Sequence, residues 1–411
     1  MKLLFLTIAR IKEISERGIY TDLIRKFRDE GHEVCVACPS ERRYNQQTSC
    51  SNNEGVKVLN IWTLNVQKTT LIEKGVCTLV LDLQFQSGVK KYFHDIKFDL
   101  VLYSTPPITF SQTIEFIKNR DGALSYLLLK DIFPQNAVDL GMIRKINPLY
   151  KYFRNKEKKL YAASDVIGCL SPANVDYLLK HNPEINPAIV EVNPNTIHPV
   201  ASGLSSEAKV EVRNKYNIPS DSIVFMYGGN IGKPQGIDFI MQVLSANIGI
   251  EKVFIIVVGS GTEYPRLLNW HIKKAPKNIL IMKGLPKDEY DELAMACDVG
   301  LIFLDRRFTI PNFPSRLLSY LENKMPVLAA TDVNTDLGKI ISDVGCGFWI
   351  ESDDLQGFNW EMQKFINDPN IITSMGRRGF DFFKENYTID VSYQRIMNRV
   401  ETRENIFIKN I

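Results

Sequence analysis

Short apolar runs of strand length alternate with longer stretches of helical period along this chain, and the alternation starts twice. That rhythm is the mark of βαβ units and parallel sheets. In the first half the strand-like runs are KLLFLTI (2–8), EVCVAC (33–38), VKVLNI (56–61), DLVLYS (99–104), ALSYLLL (123–129) and DVIGCL (165–170). In the second they are SIVFMYGG (222–229), KVFIIVVG (252–259), NILIMKG (278–284), DVGLIFL (298–304), PVLAA (326–330) and GFWI (347–350). Between the series, NPNTIHPVASGLSS has no period and reads as a linker. A chain of 411 residues is too long for one core, because single cores stop growing near about 250–300 residues. The pattern predicts domains over 1–198 and 199–385, with 386–411 forming a C-terminal helix that packs back on the first.

Charge excludes one class of partner. The formal net charge of +3 is spread along the chain, so no global field for nucleic acid exists and none is expected to bind. The seven cysteines are odd in number and sit mostly in apolar runs, which favours reduced, buried thiols and a cytoplasmic setting. Cys35 and Cys38 are spaced like half of a metal pair, but no second such pair follows and VCVAC reads as a strand. MKLLFLTIAR is apolar for about eight residues only, which suits a first strand better than a signal segment. No run of about 20 apolar residues occurs, so any membrane contact is expected to be peripheral, on the inner face of a cell membrane. The segment RKINPLYKYFRNKEKKLYAA (144–163) interleaves seven Lys and Arg with apolar residues. It fits either an anionic lipid surface or an ordinary solvated face above a core-facing stripe, with Glu157 diluting the charge.

The strongest local signal is MYGGNIGKPQGIDFI (226–240), a strand running into a glycine-rich turn and a helix. Gly228, Gly229 and Gly232 permit close backbone approach, the helix start offers N–H groups to a phosphate, and Lys233 adds a point charge. A bare tight βα turn accounts for the same glycines. One unit later VVGSGTEYPRLL (257–268) repeats the arrangement with Gly259, Ser260 and Gly261. Two such turns on neighbouring strands would share the carboxyl edge of one sheet, where ligands bind in open α/β folds. In KGLPKDEY (283–290), Gly284 and Leu285 either border a nucleobase or form an ordinary loop before Pro286. In DRRFTIPNFPSRLLSYLENKMPVLAA (305–330), Ser315 after Pro314 is a natural N-cap, and Arg316 in the first helical turn calls either for an anion or for solvent.

These residues together resemble the bacterial GT-B glycosyltransferases of family four, over nearly the whole chain. The matches are the segment from Gly18 to Val34 ending in EGHEV, then STPPITFS (104–111), KDIFPQNAVDLGM (130–142), CLSPANVDYL (169–178) and NPNTIHP (193–199). YGGNIGKPQG (227–236), VGSGTEYPRL (258–267), PSRLLSYLENKMPVLAA (314–330) and CGFWI (346–350) follow in the family's order. The resemblance implies an α/β GT-B architecture, two Rossmann-like doubly wound domains facing a central cleft. It implies a nucleotide-sugar donor, a UDP-sugar by family habit, and a lipid-linked or glycan acceptor in surface-polysaccharide synthesis, with retention of configuration and no metal or other cofactor. Donor contacts fall on Gly229, Asn230, Gly232, Lys233, Gly259, Ser260, Gly261, Gly284, Leu285, Pro314, Ser315, Arg316 and Ser319. Lys233 and Arg316 would steady the charge that develops on the departing diphosphate. Asp131 would position the acceptor or take its proton, or else cap the turn before Pro134; Gly18 would let its loop approach the donor. The chain departs from the family at its pair of glutamates eight positions apart, which fall on Pro311 and Ser319, Glu322 being three residues late. Two rival readings stay open: a nucleotide-sugar 2-epimerase, which would need carboxylates and a histidine together, and a glycosyltransferase-like partner without catalysis.

Overall fold

Alternation of apolar runs dictates two sheets, and a computed structural model, which describes residues 1–66, 71–200 and 203–409, shows both. The first is built from β1 (Lys2–Leu6), β2 (Glu33–Glu41), β3 (Ser49–Asn53), β4 (Val56–Thr63), β5 (Leu100–Ser104), β6 (Leu124–Leu129), β7 (Val166–Cys169) and β8 (Val190–Val192). Its order is β3-β4-β2-β1-β5-β6-β7-β8, parallel except for β3, which pairs antiparallel with β4. The helices between its strands, among the described residues, are α1 (Ile19–Asp29), α2 (Leu71–Tyr92), α3 (Ser111–Asp121), α4 (Gln135–Asp139), α5 (Pro148–Ala163) and α6 (Pro172–His181).

The second sheet comprises β9 (Ile223–Asn230), β10 (Val253–Ser260), β11 (Ile279–Met282), β12 (Val299–Phe303), β13 (Val327–Thr331) and β14 (Gly347–Glu351), in the order β11-β10-β9-β12-β13-β14. It is parallel throughout. Its helices are α7 (Ser206–Lys215), α8 (Ile237–Ala246), α9 (Tyr264–Lys274), α10 (Lys287–Ala296), α11 (Arg316–Glu322), α12 (Leu337–Val344), α13 (Leu355–Asn367) and α14 (Asn370–Asn386). This is the doubly wound order in which the chain starts at mid-sheet and reverses direction, at β1/β5 in the first sheet and β9/β12 in the second.

The strands are apolar because both sheet faces are covered: β1, β5, β6 and β12 are buried almost end to end. Helix α1 turns Leu23, Ile24 and Phe27 onto the first core, each such side chain contributing roughly 1.5–3 kcal/mol. The polar edge strand β3, SCSNN, carries no apolar signal and escapes a sequence reading; it forms through the Glu54–Gly55 turn, both at positive φ, against β4.

The chain separates into two compact units, Met1–His198 with Ile389–Ile411, and Pro199–Thr388. The last helix, α15 (Ile389–Lys409), begins three residues later than the sequence boundary at 386. It packs on the first unit: Tyr393 meets Phe27 edge-on at 5.0 Å and His32 Nε2 at 3.0 Å, Lys26 pairs with Asp390 at 2.7 Å, and Arg399 reaches Glu191 at 2.6 Å. Residues 201 and 202 of the expected linker lie outside the described residues, and α7 starts at Ser206 with Ser205 accepting from the Ala208 amide at 3.1 Å. Among the described residues no helix is long and apolar enough to cross a membrane.

Candidate functional site at a sheet switch point

Strands β9 and β12 pair only through Val299↔Phe225 and Gly300↔Met226, so beyond Met226 they diverge and leave backbone groups to satisfy. Tyr320 of α11 fills the split. Its buried hydroxyl accepts from the Gly228 amide at 3.1 Å and faces the carbonyls of Met226 and Leu301 at 3.0 and 3.2 Å. Only glycine fits beneath its ring, since a Cβ on Gly300 would lie 2.4 Å from the aromatic carbons. Gly228 is required for a different neighbour: its Cβ would lie 1.9 Å from the hydroxyl of Tyr290 on α10. Burial raises the phenols of Tyr227 and Tyr320 above their ordinary value and pushes Tyr290 up to about 12, so all three are neutral hydrogen-bonding groups at working pH.

Into this ring of tyrosines comes Arg316, the first residue of α11. Its guanidinium carbon lies 4.2 Å from the Tyr227 ring centroid, and its Nη2 is where a Cβ on Gly229 would meet it at 3.4 Å. The side chain is half-buried, and Nη1 is sealed from solvent without a hydrogen-bond partner. Gly229 sits at φ 122°, a conformation that side chains disfavour, so glycine is needed there for the backbone. Arg316 thus packs on Tyr227 at the switch point and makes no ion pair among the described residues.

The two glycine turns do lie on neighbouring strands, with Gly259↔Gly229 and Ser260↔Asn230 in register. Their glycines serve each other first. A Cβ on Gly259 would sit 1.8 Å from the Gly229 carbonyl and one on Gly261 2.1 Å from that of Ile231. The Ile231 amide donates to Ser260 O at 2.9 Å, and the Glu263 amide returns to Ile231 O at 3.0 Å.

Two expectations at this edge need correction. No α-helix begins at Gly232: Lys233–Gln235 form a single 3₁₀ turn, Gly236 follows at φ 63°, and α8 starts at Ile237. The reason is local, because Gln235 Oε1 accepts from both the Gly232 amide at 3.1 Å and Asn230 Nδ2 at 2.8 Å, folding the turn on itself and occupying the Gly232 N–H. Ser315 adopts helical dihedrals and its hydroxyl caps nothing, so α11 starts without a side-chain cap. Lys233 is exposed on the turn after β9, and its side chain makes no hydrogen bond or ion pair with the described residues. Gly284 is exposed with open space at its Cβ position; Leu285 and Pro314 are half-buried. The Asp305 amide donates to Pro234 O at 2.9 Å, joining the loop that leads to Arg316 to the turn that carries Lys233.

Where the family's glutamates would stand, Pro311 is buried and Ser319 Oγ is sealed without a partner. Glu322, at the far end of α11, is buried and accepts from the Val200 amide at 3.0 Å. Asp332, just past β13, is a buried carboxyl that the sequence reading missed. Its Oδ1 accepts from the Asn334 and Thr335 amides at 2.9 and 3.1 Å, its Oδ2 has no partner, and burial pushes it up to about 6.

In the first unit Asp131 is tied locally: Asn136 Nδ2 donates to both its oxygens at 2.8 and 2.9 Å, and its own amide donates to Thr105 Oγ1 at 3.1 Å. Gly18 is the N-cap of α1 in extended backbone, φ 175°, with its amide donating to Asp22 Oδ1 at 3.0 Å, so its loop does not need glycine for conformation. Lys130, one residue before Asp131, escaped the sequence reading, its only signal being a lysine closing the apolar run ALSYLLL.

The basic segment forms α5 with Asn147 as its N-cap. Leu160, Tyr161 and Ala163 face the core, whereas Met142, Ile146, Leu149 and Tyr152 are exposed, Ile146 by 80%. Glu157 is buried and bound by Arg154 at 2.6 Å and Tyr161 at 2.7 Å. Among the described residues no three His, Cys, Asp or Glu gather as metal ligands. His32, His181 and His271 are held by Tyr393, the Tyr177 carbonyl and the Ile279 carbonyl respectively.

Comparison with known proteins gives this geometry a lineage. Residues 208–381 match the family model described as glycosyl transferases group 1. A probable glycosyltransferase, WbjE, of Pseudomonas aeruginosa is 23% identical over 288 residues, covering 68% of this chain and 69% of that one. WaaG, a glycosyltransferase involved in lipopolysaccharide biosynthesis, superposes with a TM-score of 0.67 at 13% identity over 96% of this chain and 98% of its own. Anabaena HepE in complex with UDP-glucose superposes with a TM-score of 0.69 at 13% identity over 98% and 100%. Two parallel-sheet units of doubly wound order give the chain the GT-B architecture of these solved structures, and residues 208–381 match glycosyl transferases group 1, so the chain is a glycosyltransferase.

Proposed function

We propose that this enzyme moves a sugar, with retention, from a nucleoside diphosphate sugar to a lipid-linked or glycan acceptor in the assembly of a surface polysaccharide. The observation that carries the reading is Arg316: a cation with Nη1 sealed and unpartnered, lying under Gly229 at the switch point of the second sheet. Breaking the glycosidic bond puts charge on a β-phosphate oxygen, and preorganised cations and dipoles lower that barrier most. Arg316 is fixed by Tyr227 and has hydrogen-bonding capacity to spare; Lys233, exposed on the adjoining turn, folds over the diphosphate as the second cation. These two charges do the work a metal would otherwise do. A uridine nucleotide is favoured because HepE, a protein of the same fold, holds UDP-glucose. The first unit takes the acceptor, with Asp131 positioning it, and the cationic outer face of α5 with Ile146 and Leu149 meets an anionic membrane.

A second reading, donor binding without turnover, is favoured by Pro311 and Ser319 in place of the acids. Incubating the purified chain with a panel of labelled UDP- and GDP-sugars and a polyprenyl-phosphate sugar acceptor separates the two. Label passing to the lipid, and lost in Arg316→Met, is the expected result. A nucleotide that binds but never turns over with any acceptor would favour the second reading, and no binding of any nucleotide sugar would end both.

A further inference from the structure

The carboxyl edge of the first sheet carries a cation without a counter-charge. Lys130 follows β6 directly, and its amide, with that of Asp131, donates to Thr105 Oγ1 at 2.9 and 3.1 Å. Thr105 sends its own amide to Leu128 O at 3.1 Å, so the strand end is pinned from two sides. The Lys130 side chain is half-buried and makes no hydrogen bond or ion pair with the described residues. Asp131, the next residue in the chain, is engaged by Asn136. Burial pushes the ammonium down to about 7, opposed only weakly by Cys169 on β7. A desolvated amine with no partner is costly in the empty protein, and such groups gather where a ligand supplies the missing charge. Strand β6 stands next to β5, the far side of the first sheet's switch point, and ligands of doubly wound sheets collect outside the carboxyl ends there.

We propose that Lys130 receives a phosphate of the acceptor, which makes that acceptor a lipid phosphate or pyrophosphate rather than a neutral glycan. The inference rests on the transferase reading with the acceptor on the first unit, and it adds the acceptor's chemical class.

The test is calorimetric titration of inorganic pyrophosphate into the full chain held at saturating UDP, for wild type, Lys130→Met and Lys130→Arg. Expected is a weakening of at least about tenfold, roughly 1.4 kcal/mol, for Lys130→Met, near-wild-type binding for Lys130→Arg, and unchanged UDP affinity in all three. Polyprenyl phosphate in detergent should displace the pyrophosphate. Equal pyrophosphate affinity in wild type and Lys130→Met, no binding in wild type, or pyrophosphate that the lipid cannot displace would each overturn the proposal. So would a parallel fall in UDP affinity, which would assign the lysine to the donor. Thermal melting of Lys130→Met should match or exceed wild type, because an unpaired, half-buried cation is removed, so a lost fold cannot stand in for lost binding. Failure of the wild-type chain to bind UDP is a separate result that sinks the donor reading, while the pyrophosphate titration still reports on Lys130.

Discussion

The guanidinium of Arg316 lies 4.2 Å above the Tyr227 ring, and the Tyr227 hydroxyl donates at 2.6 Å to the carbonyl of Asn230. One aromatic side chain thus fixes both the cation and the turn after β9. The arrangement costs stability, since the sealed Nη1 is desolvated without compensation, and the diphosphate of the proposed donor would restore it.

Arg316→Met should therefore weaken UDP binding by about 10–100-fold, the value of one or two charge-assisted hydrogen bonds of about 1.5–3 kcal/mol, while leaving the melting temperature of the empty protein level or higher. Calorimetry with UDP and a melting curve read the two effects separately. A melting temperature that falls together with affinity would mean the arginine is a structural strut.

Tyr320→Phe should destabilise by about 1–3 kcal/mol, because the buried Gly228 amide loses its acceptor where β9 and β12 part. Gly300→Ala should cost as much or more, since the added methyl would enter the Tyr320 ring. Chemical denaturation measures both. Wild-type midpoints in the two variants would show that the strand split is held by something else.

Asp332 gives a pH signature. Its folded-state value of about 6 stands above the ordinary carboxyl value near 3.8. Below about pH 4 the acid is neutral in both states and its burial is tolerated; between pH 4 and 6 the folded chain keeps a proton that the unfolded chain has released, so stability falls as pH rises. Above 6 the full cost of the buried charge remains, up to about 3 kcal/mol. Asp332→Asn keeps the acceptor for Asn334 and Thr335 but leaves an unpartnered NH2 in place of Oδ2, so the difference between pH 4 and pH 7 is the informative quantity. The variant should lose less stability than wild type across that range in parallel melts; identical slopes would place the titration elsewhere.

Both sheets and the glycine turns are legible in the sequence because buried parallel strands must be apolar and close backbone approach must be glycine, whereas the doubly wound order is implied by the family resemblance alone. The residues that complete the site are less so. Tyr290 and Tyr320 belong to helices whose apolar stripes read as core, and only the impossible Cβ positions on Gly228 and Gly300 reveal what they touch. Lys233 was legible as a residue but not in its setting, since the Gln235 side chain replaces the expected helix start with a 3₁₀ turn. Lys130 and Asp332 stand at strand ends, where the sequence shows a charge but not whether a partner exists.

Glu157 illustrates the same gap with a functional consequence. In sequence it dilutes the positive charge of 144–163, yet it is turned inward onto Tyr161 and Arg154, so the outer face of α5 keeps Lys151, Lys156 and Lys159 beside exposed Leu149 and Tyr152, with Arg144, Lys145 and Ile146 just before the helix. If that face meets a membrane, each cation contributes about 1 kcal/mol near an anionic surface and the apolar residues add to it. Vesicles containing phosphatidylglycerol should sediment the protein and neutral vesicles should not, with binding reduced as salt is raised. Ile146→Asp with Leu149→Asp should abolish sedimentation without altering UDP affinity, because both side chains are exposed and lie in the first unit. Equal sedimentation of the double variant and wild type would reduce the segment to a solvated helix face.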